Sequence, residues 1–490
     1  MKTNNLDRFS DLPEPIIHHI VSFVPTKYAA RTSALSKRFR SAWLSFPVID
    51  FDATSFPGRY RDTTSQFTTF VRDSLDRRDP NACLEKLRIK GVFDGPTFNH
   101  WLINYALDKH VKEIYLFDDS YVDTSLPQRM FFANSIRVLE LKGTMDLWLY
   151  DHVSKFPFLK ILKLYECRRL KYISLFHTNI EEIELKNCDG LEMVGIVAQN
   201  LQSFVYRMNR RKQCDINISA GKFLRNLILH GATITDRWIE DNMSAFCSLE
   251  RLGLECCNVL QKIKFHNANI KEIELKNCDG LEMEAEIDAP NLNSFEYTGQ
   301  IMAPPVIISS HWDAMIKLKE TDLPPYLRFK KLREFLLGFD TCKVLTVICN
   351  NDKELIIPKE LREQMLPPLF DIKHVKIQLR CRTDLMGLLQ SLVWLVPRPE
   401  TISFVKGSTE ESIKFQYYMS VDMEEDSCCC RYRLIKCCTH RLRSIALHNF
   451  GDLADRDNVM KFFIRNSKRL EMIYDNSDAF KIVKGQLISS

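Results

Sequence analysis

Asn179-Ile-Glu-Glu-Ile-Glu-Leu-Lys-Asn-Cys-Asp-Gly-Leu-Glu-Met193 occurs twice in the chain; the second copy, Asn269 to Met283, differs only in carrying Lys271 where the first has Glu181. The copies begin 90 residues apart. Identity over this length is beyond chance, so the chain carries an internal repeat. Within each copy, aliphatic residues fall at i, i+3 and i+5 (Ile180, Ile183, Leu185 and Ile270, Ile273, Leu275), with a cysteine at the ninth position. Residues at i+3 and i+5 share one face of a strand, and the leading residue packs beneath it.

Outward from this pair, the same leucine-rich pattern, L-x-x-L-x-L-x-x-N/C with other apolar residues allowed, fits ten windows. They begin at Leu84, Val111, Ile136, Leu159, Ile180, Leu201, Leu224, Leu249, Ile270 and Leu292. Neighbouring windows are 21 to 27 residues apart, inside the range of leucine-rich repeats at about 20–29. No single repeat of this kind buries its own apolar face, but stacked strands bury a continuous column. Cys167, Cys188, Asn209, Cys257 and Cys278 fill the ninth position and are expected to turn inward toward loop backbone. The other five windows lack such a residue, which marks the repeats as irregular.

Ahead of the repeats, Leu12 to Trp43 is dense in apolar residues at helical spacing. Pro13 suits the first turn of a helix. Ile16, Ile20 and Val24 recur every four residues, widened by Ile17 and Val21. Pro25 ends that helix, Thr26 can cap a second over Lys27–Ser33, and Ser36 can cap a third carrying Phe39 and Trp43. Three short helices of about 40 residues hold more apolar surface than they can bury alone. Periodicity alone leaves two readings open, a helical cap on the next domain or a docking module.

The order Leu12-Pro13-Glu14-Pro15-Ile16, then Ile20, Val24-Pro25-Thr26-Lys27 and Leu35-Ser36-Lys37-Arg38-Phe39 to Trp43 resembles the F-box of the large plant F-box/LRR family. The resemblance implies docking on a Skp-type adaptor, and through it a cullin, by Leu12, Pro13, Ile16, Ile20, Val24, Pro25, Leu35, Ser36, Phe39 and Trp43. Phe39 stands where that family usually has Trp, which implies docking weaker by about 1 kcal/mol. Phe70-Val71-Arg72-Asp73, Lys86-Leu87-Arg88-Ile89, Trp101 to Leu107 and Leu126-Pro127 resemble the same family's opening repeats.

From about Pro304 the pattern loosens. Pro304-Pro305, Pro324-Pro325 and Pro367-Pro368 mark breaks. Apolar runs continue at Val344–Cys349, Val375–Leu379 and Thr401–Val405, with a helical run Leu385–Leu395. Cys438 to Ile473 resembles the FBD module that closes many proteins of that plant family. It reads as strand, helix (Val459, Phe462, Phe463), strand, and a solenoid end needs such a cap.

Other chemistries find little support. Cys428–Cys430, Cys437, Cys438 and His440 lack the paired spacing of structural zinc ligands. No phosphate-binding glycine loop, H-E-x-x-H or nucleophile elbow occurs, so no catalytic residue, metal or cofactor is expected. Arg207, Arg210, Arg211 and Lys212 form one basic cluster, read as a charged loop between repeats, and a formal charge of +5 calls for no nucleic acid partner. The N-terminus lacks the apolar core of a secretory signal, and no stretch reaches the ~20 apolar residues of a membrane span. The sixteen cysteines are unevenly placed, which fits a reduced intracellular protein of nucleus or cytoplasm.

The expected architecture is α/β. A three-helix F-box (6–52) and a helical bridge (53–83, with Phe67, Phe70, Val71 and Leu75 on one helix) precede leucine-rich repeats (84–303). Irregular repeats (304–425) and an FBD-like cap (426–490) follow. The expected role is a non-catalytic adaptor that recruits an unidentified target protein to a ubiquitin ligase on the repeats' concave face. Two alternatives stay open: a receptor for a hormone or inositol phosphate on the same scaffold, and a repeat module whose F-box has lost its partner.

Overall fold

The computed structural model describes residues 11–24, 26–55, 60–120, 126–143, 157–176, 179–209, 214–220, 222–281, 284–319, 323–418, 441–467, 469–475, 478–483 and 486–489. The chain divides into two compact units, Met1–Thr233 and Ile234–Ser490.

The first unit opens with three helices, α1 (Glu14–Ser22), α2 (Thr26–Thr32) and α3 (Lys37–Ser45). Pro13 precedes α1 as its N-cap, and Pro15 takes the first-turn position expected for Pro13. Thr26 lies inside α2 rather than capping it. The hydroxyl of Ser36 does cap α3, accepting from the Phe39 amide at 3.2 Å. Then follow β1 (Val48–Asp52), α4 (Tyr60–Asp76), β2 (Lys86–Gly91), α5 (Pro96–Asp108), β3 (Glu113–Asp118), β4 (Val138–Lys142), β5 (Ile161–Tyr165) and β6 (Tyr172–Phe176). The unit closes with β7 (Glu182–Lys186), β8 (Met193–Ala198), β9 (Ser203–Arg207), β10 (Asp215–Ala220) and β11 (Asn226–His230). Helix α4 buries Phe67, Val71 and Leu75, as its spacing predicts.

One parallel ladder runs β1, β2, β3, β4, β5, β7, β9, β11. A second parallel sheet holds β6, β8 and β10. Every repeat window in this unit starts two residues before a ladder strand, and its residues at i, i+3 and i+5 are buried, as with Ile180, Ile183 and Leu185. Each such side chain removed from water contributes about 1.5–3 kcal/mol. Strand β1, inside the stretch expected to end the helical module, already pairs with β2.

The residue before the ninth position explains which thiols turn in. Glu166, Asn187, Cys256 and Asn277 all have φ of 53–54°, the left-handed conformation that reverses the chain at a strand end. Each is followed by a buried cysteine. The Cys188 thiol donates to the Leu164 and Lys186 carbonyls at 3.6 and 3.5 Å, and Cys278 does the same to Leu254 and Lys276. Gly143 and Gly231 make the same turn with φ of 119° and 73°, where glycine carries no steric penalty. Asn209 departs from expectation. Met208 before it is not left-handed, so Met208 is buried and Asn209 is exposed.

The second unit contains α6 (Asp236–Met243), β12 (Arg251–Glu255), β13 (Lys262–His266), β14 (Glu272–Lys276), β15 (Glu284–Asp288), β16 (Ser294–Gly299), β17 (Val306–Ile308) and β18 (Asp313–Leu318). Next come α7 (Pro325–Leu336), β19 (Val344–Asn351), α8 (Lys359–Gln364), β20 (His374–Cys381), α9 (Leu385–Leu395) and β21 (Thr401–Lys406). Its parallel ladder is β12, β14, β16, β18, β19, β20, β21, and β13, β15 and β17 form a second sheet. The pattern loosens after Pro304 because helices α7, α8 and α9 replace short strands between ladder strands, which lengthens each repeat. Asp384 caps α9 by accepting from the Gly387 amide at 2.8 Å.

The chain then reverses. Strand β22 (Thr409–Tyr417) pairs antiparallel with β21 and with β23 (Leu442–His448). Helix α10 (Leu453–Asn466) leads to β24 (Met472–Asp475), parallel to β23, and β25 (Asp478–Val483) and β26 (Gln486–Ser489) continue antiparallel. The strand–helix–strand order matches the sequence reading; Val459 and Phe463 of α10 are fully buried. Among the described residues no helix is long and apolar enough to cross a membrane.

A candidate docking surface on the N-terminal helices

Ile17, Val21, Ala29, Phe39, Ala42 and Phe46 form a small closed core, with Leu12, Trp43 and Val48 packed against it. The Trp43 and Phe46 rings stack 6.5 Å apart. Polar contacts pin α1 to α3. His18 Nε2 donates to the Ala42 carbonyl at 3.0 Å, and the Ser45 hydroxyl donates to Glu14. These contacts cross the helix pair at its closed side.

Helix α1 therefore has two apolar stripes. Ile17 and Val21 face the core. Ile16 is 46% exposed, Phe23 75%, and Ile20 and Val24 are half-buried. On the following segments Tyr28 is exposed and Leu35 is 74% exposed. Lys27, Arg31, Lys37, Arg38 and Arg40 lie on α2 and α3, so the apolar surface belongs to a strongly basic module. Exposed aliphatic and aromatic side chains gathered on so small a unit make it a candidate interaction surface.

The structure separates the ten residues singled out from sequence. Ile16, Ile20, Val24 and Leu35 offer apolar surface to solvent, and Pro13 is exposed. Leu12 and Trp43 are half-buried supports of the core, and Ser36 is a cap. Phe39, expected as an outward anchor, is only 8% exposed and belongs to the core. It sits on the inward stripe of α3 beside Ala42, so its aromatic ring helps hold the helices together. Pro25 lies outside the described residues. Phe23 and Tyr28 were not singled out, although Phe23 stands seven residues after Ile16 on the same stripe.

Other sequence candidates resolve in part. Arg207 ends β9 and is exposed; Arg210, Arg211 and Lys212 lie outside the described residues, as do Cys428–Cys430, Cys437, Cys438 and His440. Glu182 pairs with Lys163 at 2.8 Å on the outward ladder face. There Glu184 is tightly held. Burial pushes its carboxyl up, but hydrogen bonds from Lys186 and Tyr165 outweigh that and leave it below the usual range. Burial and the Glu113 hydrogen bond push the Tyr115 phenol up to about 12.

A sequence profile of the F-box domain matches residues 9–50. The N-terminal helices are an F-box. The chain is similar to F-box/LRR-repeat proteins of Arabidopsis thaliana. One is 32% identical over 210 residues, covering 38% of this chain and 34% of that protein. Another is 30% identical over 193 residues, covering 37% of this chain and 59% of that protein. An F-box/FBD/LRR-repeat protein of the same plant is 34% identical over 165 residues, covering 33% of this chain and 34% of that protein. The matched part is thus under two thirds of the length of each relative. The recognition of an F-box and leucine-rich-repeat chain, and its α/β fold class, stand.

Proposed function

We propose that the chain is the substrate-recognition subunit of a Skp–cullin–F-box ubiquitin ligase. The observation that carries this is the second apolar stripe of α1. Ile16 and Phe23, joined by Leu35, are left uncovered, with Ile20 half-buried between them, by a module whose core is already closed by Ile17, Val21 and Phe39. A Skp-type adaptor that covers this stripe brings the cullin with it. The outward ladder faces then hold a target protein near the charged conjugating enzyme, and catalysis is by proximity. The chain itself supplies no reacting group in this scheme.

The test is affinity purification of the full chain with and without Ile20→Asp. The wild type should bring down a Skp adaptor and a cullin, and the variant should lose both while keeping its thermal transition. Wild-type material free of both proteins counts against the proposal.

A ligand-assisted receptor is the second reading. It is supported by a cavity of about 350 Å³ in the second unit, lined by Leu318, Arg328, Leu332, Asn351 and Lys353. Native mass spectrometry of the purified chain tests it; a bound small molecule supports this reading and a bare chain opposes it.

A further inference from the structure

The last outward residue of each ladder strand from β2 to β11 forms one row, and Asp52 of β1 continues it opposite Lys90. Lys90 stands opposite Phe117, Phe117 opposite Lys142, and Lys142 opposite Tyr165. Tyr165 is opposite Lys186, Lys186 opposite Arg207, and Arg207 opposite His230. From β2 to β7 basic side chains occur on every second strand, at Lys90, Lys142 and Lys186, and Arg207 and His230 follow on the next two strands. The rings of Phe117 and Tyr165 fill the two gaps between the lysines. The face's carboxylates Glu113, Glu140, Glu182 and Glu184 stand in the other two rows, so within these seven strands this row carries none.

The spacing selects an occupant. Hydrogen-bonded strands lie about 4.8 Å apart, so alternate strands are ~9.6 Å apart. A polyproline II helix advances ~9.3 Å in three residues and returns to the same face after three. A β-strand would send every third side chain to the opposite side. We propose that this row cradles a polyproline II segment of the target protein, bearing a carboxylate at every third residue. The proposal deepens the reading of the ladder face as the target-binding face and rests on it. Phe117 and Tyr165 supply the flat apolar surface on which proline rings pack in such complexes.

The bases are not idle. Lys90 is 3.5 Å from Asp52, Lys142 is 2.7 Å from Asp119, and Lys186 shares Glu184 with Tyr165. An ammonium has three protons, so each lysine can take a second carboxylate. Because its charge is partly balanced, binding is expected to be modest and salt-sensitive. The same balance disfavours a nucleic acid strand, which needs a dense, uncompensated basic patch.

The experiment is fluorescence anisotropy with the full chain and a labelled dodecapeptide repeating Asp-Pro-Pro. Comparators are the Lys-Pro-Pro repeat, a peptide of identical composition with its four Asp contiguous, and a single-stranded oligonucleotide. The Asp-Pro-Pro repeat should bind at least about tenfold tighter than each comparator and weaken as salt rises. Lys90→Gln/Lys186→Gln should lose about tenfold, each single variant about threefold, and Lys262→Gln on the other unit's second sheet nothing. The single variants keep the test decisive if the double variant melts early. Equal binding of the contiguous-acid peptide overturns the three-residue period. Tighter oligonucleotide binding overturns the protein target, and indifference to the lysine variants overturns the row. Failed peptide binding with Skp co-purification intact counts against this row alone; the converse counts against the adaptor reading alone.

Discussion

Lys271 pairs with Glu250 at 2.9 Å, and 90 residues earlier the equivalent pair, Glu181 with Lys160 at 2.6 Å, has its charges reversed. The one substitution between the two copied segments is therefore matched by an opposite change on the preceding repeat. Both pairs are half-exposed, so each is worth about 0.2–1 kcal/mol. Glu181→Lys alone should lower stability by about that much by facing Lys160, and adding Lys160→Glu should restore it. A double-mutant cycle in urea measures this; no recovery in the double variant would show the pairing to be incidental.

Ile17 and Ile16 are consecutive but face opposite ways, the first fully buried and the second uncovered. Ile17→Ala should destabilise the F-box by about 2–5 kcal/mol. Ile16→Ala should leave unfolding within about 0.5 kcal/mol and reduce only partner capture. Urea melts followed by circular dichroism, beside pull-downs, separate the two effects.

Phe39→Trp restores the residue usual in the plant family. Phe39 lies in a closed core, and extra volume there costs about 1–3 kcal/mol. The variant is expected to melt earlier and to capture no more partner than wild type. A stabilised variant would mean that the core has room for the larger ring.

The copied glycines are sterically required. A Cβ on Gly190 would lie 2.2 Å from the Arg168 carbonyl oxygen, and one on Gly280 would lie 2.3 Å from that of Asn258. In Gly195 the nearest atom, the Ile173 carbonyl oxygen, is 3.9 Å away. Gly190→Ala and Gly280→Ala should each cost on the order of 1–3 kcal/mol, as overpacking does. Gly195→Ala should be tolerated. Thermal denaturation of the three variants tests the contrast.

Asp352 is fully buried and accepts from the Thr383 hydroxyl at 2.8 Å and from the Thr383 and Asp384 amides. Burial raises its pKa, but these donors outweigh burial and leave it below the ordinary value. A depressed carboxyl adds stability that is complete above its unfolded pKa of about 3.9 and fades as pH falls through the lower folded value. Melting between pH 7 and 3 should show this loss below about pH 4 in the wild type. Asp352→Asn should flatten that part of the profile and be about 1–3 kcal/mol less stable at pH 7. Parallel profiles for the two proteins would contradict the assignment.

Much of the ladder is legible because one spacing, i, i+3, i+5, fixes both the strand and its buried face. The second sheets carry that spacing too: Leu170, Ile173 and Leu175 follow Leu159, Leu162 and Leu164 by eleven residues. They are easily passed over because turn residues interrupt the run, and the pattern is then counted once per repeat. Leu385–Leu395 reads correctly as a helix since a long apolar run after Asp384 has both length and a cap. The uncovered stripe of α1 is harder. Ile16 and Ile17 are equally apolar, and only the closed packing of Phe39 and Ala42 decides which one turns in. For Asn209 the deciding fact is the backbone at Met208, which no side-chain pattern encodes.

The uncovered stripe of α1 also sets how the protein fares when alone. On the proposed reading, a freshly made chain shows Phe23, Leu35 and Ile16 to every chaperone and protease it meets until the adaptor covers them. Supply of the adaptor would then govern how long the chain survives, so that its abundance tracks assembly rather than synthesis.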